Sequence, residues 1–209
     1  MPKEYEYEFL DFDKSKIISK IKELKGSYKG TYLFKIQYLL NDIEKTHIRV
    51  RDEGFQITMT VKTETSDFDE EEEIIIDNFD NGVNLLLGLG CKKSIYIEKI
   101  REIYTILDTE IIFDTPIGYP DILEIESKTL KKLKEMVKHF NLKVIPKNEQ
   151  KNMYVELFGI NLSNIKNINN LTFKDAKKKI ILHVTKNKKE FNLLINKQIK
   201  AYKIIKNTM

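Results

Sequence analysis

Residues 2–13, PKEYEYEFLDFD, space Glu4, Glu6 and Glu8 two apart, with Tyr5, Tyr7 and Phe9 between them. In a strand, successive side chains point to opposite faces. Three carboxylates therefore line one face and three aromatic rings the other. Like charges this close repel by roughly 0.2–1 kcal/mol per pair at a sheet surface. Two readings follow: an edge strand whose acidic face is solvated, or a strand with something positive in front of it. A divalent cation suits the second reading, because Mg²⁺ and Mn²⁺ take carboxylate oxygens.

The same spacing recurs along the chain. Residues 46–51 alternate Ile48 and Val50 with Arg49 and Arg51, and Asp52-Glu53-Gly54 reads as a hairpin turn. Residues 55–63 alternate again and leave Lys62 on the polar face. Residues 66–69 read as a loop, and Glu71 and Glu73 share parity in the strand after it. Lys99 and Arg101 stand two apart in a strand over 94–107, Asp114 closes the next, and Glu124 and Glu126 share a face of the last. Each of these pairs has one sign, whereas an ordinary half-exposed sheet is expected to mix signs along a strand. A closed sheet with its polar side inward would gather both signs around one cavity. Basic groups there would hold phosphates, and carboxylates would hold a bridging metal. No Gly-rich phosphate loop competes with that reading.

Helical spacing appears at Ile17, Ile18, Ile21 and Leu24 after Asp13 or Ser15 as cap, and at Val83, Leu86 and Leu87 after Asn78. It appears again at Leu130, Leu133, Met136, Val137 and Phe140 after Ser127. Gly26 and Gly30 are expected to bracket a turn. A short helical patch at 153–158 and an Asn-rich loop lead to two amphipathic patterns. Phe173, Ala176, Ile180 and Val184 form one; Phe191, Leu194, Ile195, Ile199 and Tyr202 form the other.

Composition narrows the class. The 209 residues suffice for one substantial domain with an appendage. No apolar run reaches membrane-spanning length, and a lone cysteine, Cys91, allows no intrachain disulfide, so a soluble protein in a reducing, cytoplasmic setting is expected. His47, His139 and His183 have no zinc-type spacing. Residues 174–209 carry a net charge of +9, which leaves −5 for residues 1–173. We therefore divide the chain into a body over 1–173 and a basic helical extension over 174–209. Only Arg49, Arg51 and Arg101 of 36 basic residues are arginine. Against that bias, arginine marks places where planar, bidentate recognition of an anion is needed.

Taken in order, Glu4-x-Glu6, HIRVR, TVK, EEEIIIDNFD, IEKIREIY and FDTPIGYPDILEIE resemble the CYTH superfamily, the triphosphate tunnel metalloenzymes, over residues 2–140. YVELFGINLSNIKN and LTF extend the likeness toward the subset similar to class IV adenylate cyclases. The resemblance implies an α+β fold: an eight-stranded antiparallel β-tunnel, a closed barrel with flanking helices. It implies Mg²⁺ or Mn²⁺ on Glu4, Glu6, Glu124 and Glu126, and a triphosphate held by Arg49, Arg51, Lys62, Lys99 and Arg101. It further implies catalytic roles for Glu71, Glu73 and Asp114. One departure is plain: the family's opening motif is ExExK, and Glu8 stands where its Lys is expected, unless Lys35 or another lysine supplies the charge.

The expected activity is metal-dependent phosphohydrolysis of a triphosphate: tripolyphosphate, a nucleoside triphosphate or an RNA 5′-triphosphate. The alternatives are a class IV cyclase making cyclic AMP and pyrophosphate from ATP, and a binding module without turnover. The lysines of residues 174–209 read first as the wet face of packed helices; contact with nucleic acid is the alternative.

Overall fold

A computed structural model describes residues 3–43, 45–65, 68–145, 152–161 and 169–208. Its strands are β1 (Lys3–Phe9), β2 (Ser27–Leu40), β3 (Thr46–Asp52), β4 (Ile57–Glu64), β5 (Asp69–Ile76), β6 (Lys92–Ile106), β7 (Thr109–Pro116), β8 (Ile122–Ser127) and the two-residue β9 (Asn170–Leu171). Its helices are α1 (Lys14–Glu23), α2 (Phe79–Gly88), α3 (Leu130–His139), α4 (Met153–Phe158), α5 (Ala176–Ile180) and α6 (Lys188–Thr208). Pro146 and most of the Asn-rich stretch lie outside the described residues.

Eight antiparallel strands run in the order β2-β3-β4-β5-β1-β8-β7-β6, and β6 returns to pair with β2. The closing ladder is long, from Ser27 opposite Thr105 to Leu40 opposite Lys92. Among the described residues, β1 joins β5 through two pairs, Lys3 with Glu70 and Glu4 with Asp69. β9 adds in parallel to β6 at Tyr96 and Ile97, on the stretch of β6 that precedes its pairing with β7. The sheet is the closed, helix-flanked barrel that the resemblance implied.

The barrel is largely inside out relative to a soluble core: charged residues face inward beside a small apolar cluster of Phe34, Ile36 and Ile103, and the other apolar residues face outward to helices. Phe9, Ile111, Phe113, Leu123 and Ile125 meet Ile17 and Ile21 of α1 and Leu133, Met136 and Val137 of α3. Leu39, Ile48 and Val50 meet Val83 and Leu86 of α2. Leu33 and Ile100 meet Tyr154, Phe158, Ala176, Ile180, Phe191 and Ile195 from the helices after residue 152. Each such side chain, fully buried, contributes about 1.5–3 kcal/mol, so the helices cover the outer faces of the strands named here and hold their charged faces inward.

Three local expectations change. Ser127 does not cap α3, because it still pairs with Tyr5 and Thr109 in the sheet; Thr129 caps it, accepting from Lys132 N. Gly26 and Gly30 do not bracket a turn. β2 starts at Ser27, and Gly30, at φ +145°, sits where the register with β6 shifts. Asp69, expected in a loop, begins β5 and is buried. Asp13, expected as one of two caps for α1, accepts from both Ser15 N and Lys16 N.

α6 reaches the barrel through one polar side chain. Gln198 is buried and holds the β7–β8 connection. Its Oε1 accepts from Gly118 N at 2.7 Å, and its Nε2 donates to Pro116 O at 3.0 Å and Tyr119 O at 2.8 Å. Among the described residues, no helix is long and apolar enough to cross a membrane.

Candidate active site in the barrel

The inward faces line a cavity of about 560 Å³, within the usual range of ligand sites, roughly 300–1,000 Å³. Eight carboxyl and five cationic side chains line it. That surplus of acid gives a cation a reason to bind, and the cations among them give an anion one.

The acids meet where β1 lies against β8. Glu6 pairs with Glu126 and Glu8 with Glu124 across the ladder, so alternation turns Glu6, Glu124 and Glu126 to one face. One carboxylate oxygen from each of those three lies within 4.8 Å of the others. Burial, with Glu124 and Glu4 acting in the same direction, pushes the Glu6 carboxyl up to about 7 against the pull of Lys62. Burial and then Glu124 push Glu126 well above the carboxylate range. Burial would raise Glu124 too, but Arg101, the hydrogen bond with Glu126, and Lys99 outweigh it and hold its carboxyl well below that range. Three carboxyls, Glu124 buried and Glu6 and Glu126 partly so, with one oxygen each this close together are the donor set a hard divalent cation fits. Glu4 stands beside this triad, its carboxylate 3.2 Å from Lys62 Nζ.

The cations come from the facing wall. Arg49 and Arg51 are brought inward opposite Tyr38 and Ile36 of β2 and Thr60 and Thr58 of β4. Arg49 Nη2 donates to Glu71 at 3.3 Å. Arg51 Nη2 donates to Glu73 at 2.9 Å, and its Nε lies 2.6 Å from Glu53. Lys62 stands among Glu4, Glu6 and Asp69 at 3.1–3.2 Å. These neighbours hold its ammonium charged despite burial. Arg101 is buried, gives a two-bond fork to Asp114, each bond at 2.7 Å, and reaches Glu124 at 2.8 Å. Phe34 lies between two of these, with the Arg101 and Arg51 guanidinium carbons 5.2 and 5.6 Å from its ring centre.

The charges are nevertheless incompletely satisfied. Arg49 Nε and Glu71 Oε2 are buried and make no hydrogen bond among the described residues, whereas Arg51 Nε is ion-paired with Glu53. A buried polar atom left unbonded costs about 1–3 kcal/mol, so Arg49 Nε has a standing preference for an incoming acceptor and Glu71 Oε2 for an incoming donor or cation.

The structure thus brings Glu4, Glu6, Arg49, Arg51, Lys62, Glu71, Glu73, Arg101, Glu124 and Glu126 to one cavity wall. Lys99 and Asp114 are set behind Arg101, bonded to each other, outside that wall. Glu8 is exposed and also outside it, although its register puts it opposite Glu124. Lys35 does not supply the missing charge, since it pairs with Asp52 at 2.8 Å, opposite in strand parity to the inward Phe34 and Ile36. Sequence reasoning missed Glu53, Glu110, Lys29, Tyr32 and Phe55, which line the cavity, and Asp69 at Lys62. Parity was the available signal for Glu53, two beyond Arg51, and for Glu110, four before Asp114.

No protein-family model and no curated protein matches the chain. Solved structures do match, and they share its fold. A protein from Pyrococcus horikoshii is 21% identical with a TM-score of 0.61, over 73% of this chain and 98% of its own. A protein from Pyrococcus furiosus is 19% identical with a TM-score of 0.59, over 73% and 98%. A proposed adenylate cyclase from Vibrio parahaemolyticus is 15% identical with a TM-score of 0.59, over 74% and 96%. The closed tunnel that the CYTH resemblance implied is therefore shared with proteins that it spans almost end to end, while about a quarter of this chain lies outside each match.

Proposed function

We propose that the tunnel binds a triphosphate with a divalent metal and hydrolyses it. One observation carries the proposal: a triad of carboxyls, Glu6, Glu124 and Glu126, shares a single cavity with Arg49, Arg51 and Arg101. Mg²⁺ or Mn²⁺ held by the triad, with Glu4 beside it, supplies charge neutralisation for the phosphate oxygens. Arg49 and Arg51 turn from Glu71 and Glu73 to the phosphates, which releases those two carboxylates to orient water and accept its proton. Arg101, held by Asp114 and Lys99, keeps its fork in place and presents a fixed positive charge. Catalysis of this kind is positioning and electrostatics, with little covalent work for the protein.

The test is phosphate release from tripolyphosphate and ATP with Mg²⁺ or Mn²⁺, set against Glu6→Ala/Glu126→Ala. The expected result is release by the wild type and none by the variant; silence from the wild type on both substrates refutes hydrolysis. The likeness to the Vibrio parahaemolyticus protein favours a second reading, cyclisation of ATP. Cyclic AMP with pyrophosphate, in place of phosphate, moves the assignment there.

A further inference from the structure

The rim of the cavity carries two aromatic rings that phosphate has no use for. Tyr32 of β2 and Phe55 of the β3–β4 turn line the same cavity as Arg51 and Glu73. Their ring centroids are 4.7 Å apart, with planes at 59°. Phe55 is nevertheless 55% exposed. A ring that merely plugged the barrel end would be covered.

Both rings are held in place. The Tyr32 hydroxyl donates to Lys29 O at 2.8 Å. Its ring lies over Gly30, where a Cβ would stand 2.4 Å from it, so glycine makes room for the ring. The turn that carries Phe55 is tied by Glu53 N to Gln56 O and by Gly54 N to Asp52 Oδ1, each at 2.9 Å. Glu53 itself is buried. One of its oxygens accepts from Gln56 Nε2 at 2.9 Å, and the other faces Arg51. The carboxylate that places a phosphate-facing arginine therefore also places the aromatic rim. An adjoining pocket that shares Glu71, Glu73 and Glu110 with the cavity is lined further by Glu72 and Asp108 against Lys3 and Lys128, so acid outweighs base there. A phosphate tail left there would be repelled, whereas an uncharged ring system would not.

We infer that Phe55, with Tyr32 behind it and Gln56 beside it, is a nucleobase-stacking subsite, so that the triphosphate entering the tunnel is that of a nucleotide. This rests on the triphosphate reading and deepens it. Stacking on an aromatic ring accepts any base, so the rim selects nucleotides from inorganic polyphosphates without choosing among bases. The Gln56 amide is the group beside it able to read a base edge.

The experiment is a calorimetric titration of the full chain, with Mn²⁺, using ATP and tripolyphosphate in parallel. Phe55→Ala is expected to lower the ratio of ATP affinity to tripolyphosphate affinity by about tenfold, the scale of one lost stacking contact. Phe55→Trp should restore the ratio. It also places one tryptophan in a chain that has none, and its emission should be quenched by ATP and unmoved by tripolyphosphate. An unchanged ratio in Phe55→Ala, or a wild type that binds tripolyphosphate and ignores ATP, overturns the subsite and leaves hydrolysis standing. ATP bound through Phe55 with no phosphate released overturns hydrolysis and leaves the subsite standing. A 5′-triphosphorylated RNA that shows the same Phe55 dependence assigns the subsite to the first base of an RNA; dependence confined to ATP assigns it to the free nucleotide.

Discussion

Gln198 and the tunnel both bury polar side chains, and they do it in opposite ways. At Gln198 a single neutral amide meets three backbone groups of the β7–β8 connection at 2.7–3.0 Å. In the tunnel, carboxyls and guanidinium groups crowd one cavity, and among the described residues Arg49 Nε and Glu71 Oε2 remain without hydrogen bonds. The first arrangement is saturated and has nothing to gain from a ligand. The second stores unfavourable burial that a metal and an anion would relieve together. Polar burial that is neutral and complete belongs to the scaffold; polar burial that is charged and incomplete belongs to the site.

The contrast is sharpest where activity and stability separate. Removing two of the triad, Glu6→Ala/Glu126→Ala, should cut phosphate release by about 10³-fold or more, since a metal's charge stabilisation is worth several kcal/mol. The same variant should melt no lower than wild type in EDTA, because it removes carboxyls whose charge is disfavoured by burial and by the nearby Glu124 and Glu4. A melting point lowered by several degrees would place the triad in the scaffold. Gln198→Ala should do the reverse. It leaves a buried N–H and two part-buried carbonyls unpaired, at about 1–3 kcal/mol for each that water does not reach, and each kcal/mol lowers the melting temperature by about 2–4 °C for a chain of this size. Thermal melts followed by circular dichroism read both.

Metal addition tests the same division. Mn²⁺ at a hundred times its dissociation constant should stabilise the wild type by about 2.7 kcal/mol, and Gln198→Ala by as much, while Glu6→Ala/Glu126→Ala gains nothing. Equal gain in the triad variant would put the metal elsewhere. A smaller effect is expected at Arg51→Lys, which keeps the charge and loses the fork: tripolyphosphate affinity, read by calorimetry, should fall about tenfold. The smallest is at Leu193→Ser on α6. Leu193 is 65% exposed, and its loss should shift stability by no more than about 0.5 kcal/mol.

Much of this was legible in the sequence because a strand has period two. Arg49 with Arg51, Glu71 with Glu73, and Glu124 with Glu126 each share a face wherever their strand goes, and each pair lines the cavity. The helical faces were legible for the same kind of reason: Ile17 and Ile21, or Leu133, Met136 and Val137, recur at helical spacing and are buried. Boundaries were less so. Ser127 and Thr129 are both competent caps, and only the pairing of Ser127 with Tyr5 decides between them.

Alternation along the chain determined which side chains travel together. It could not determine which strands face one another, and that depends on the return of β6 to β2. The pairing of β1 with β8 puts Glu6 beside Glu124 and Glu126, 118 and 120 positions away, and closure stacks Phe34 between Arg51 and Arg101. It also sets Lys99 and Asp114 behind the wall rather than in it, and brings Phe55 from a hairpin turn against Tyr32 at the mouth. Local spacing acts over a few residues through backbone geometry. A cavity is made by contacts between distant strands, and those exist only once the sheet has closed.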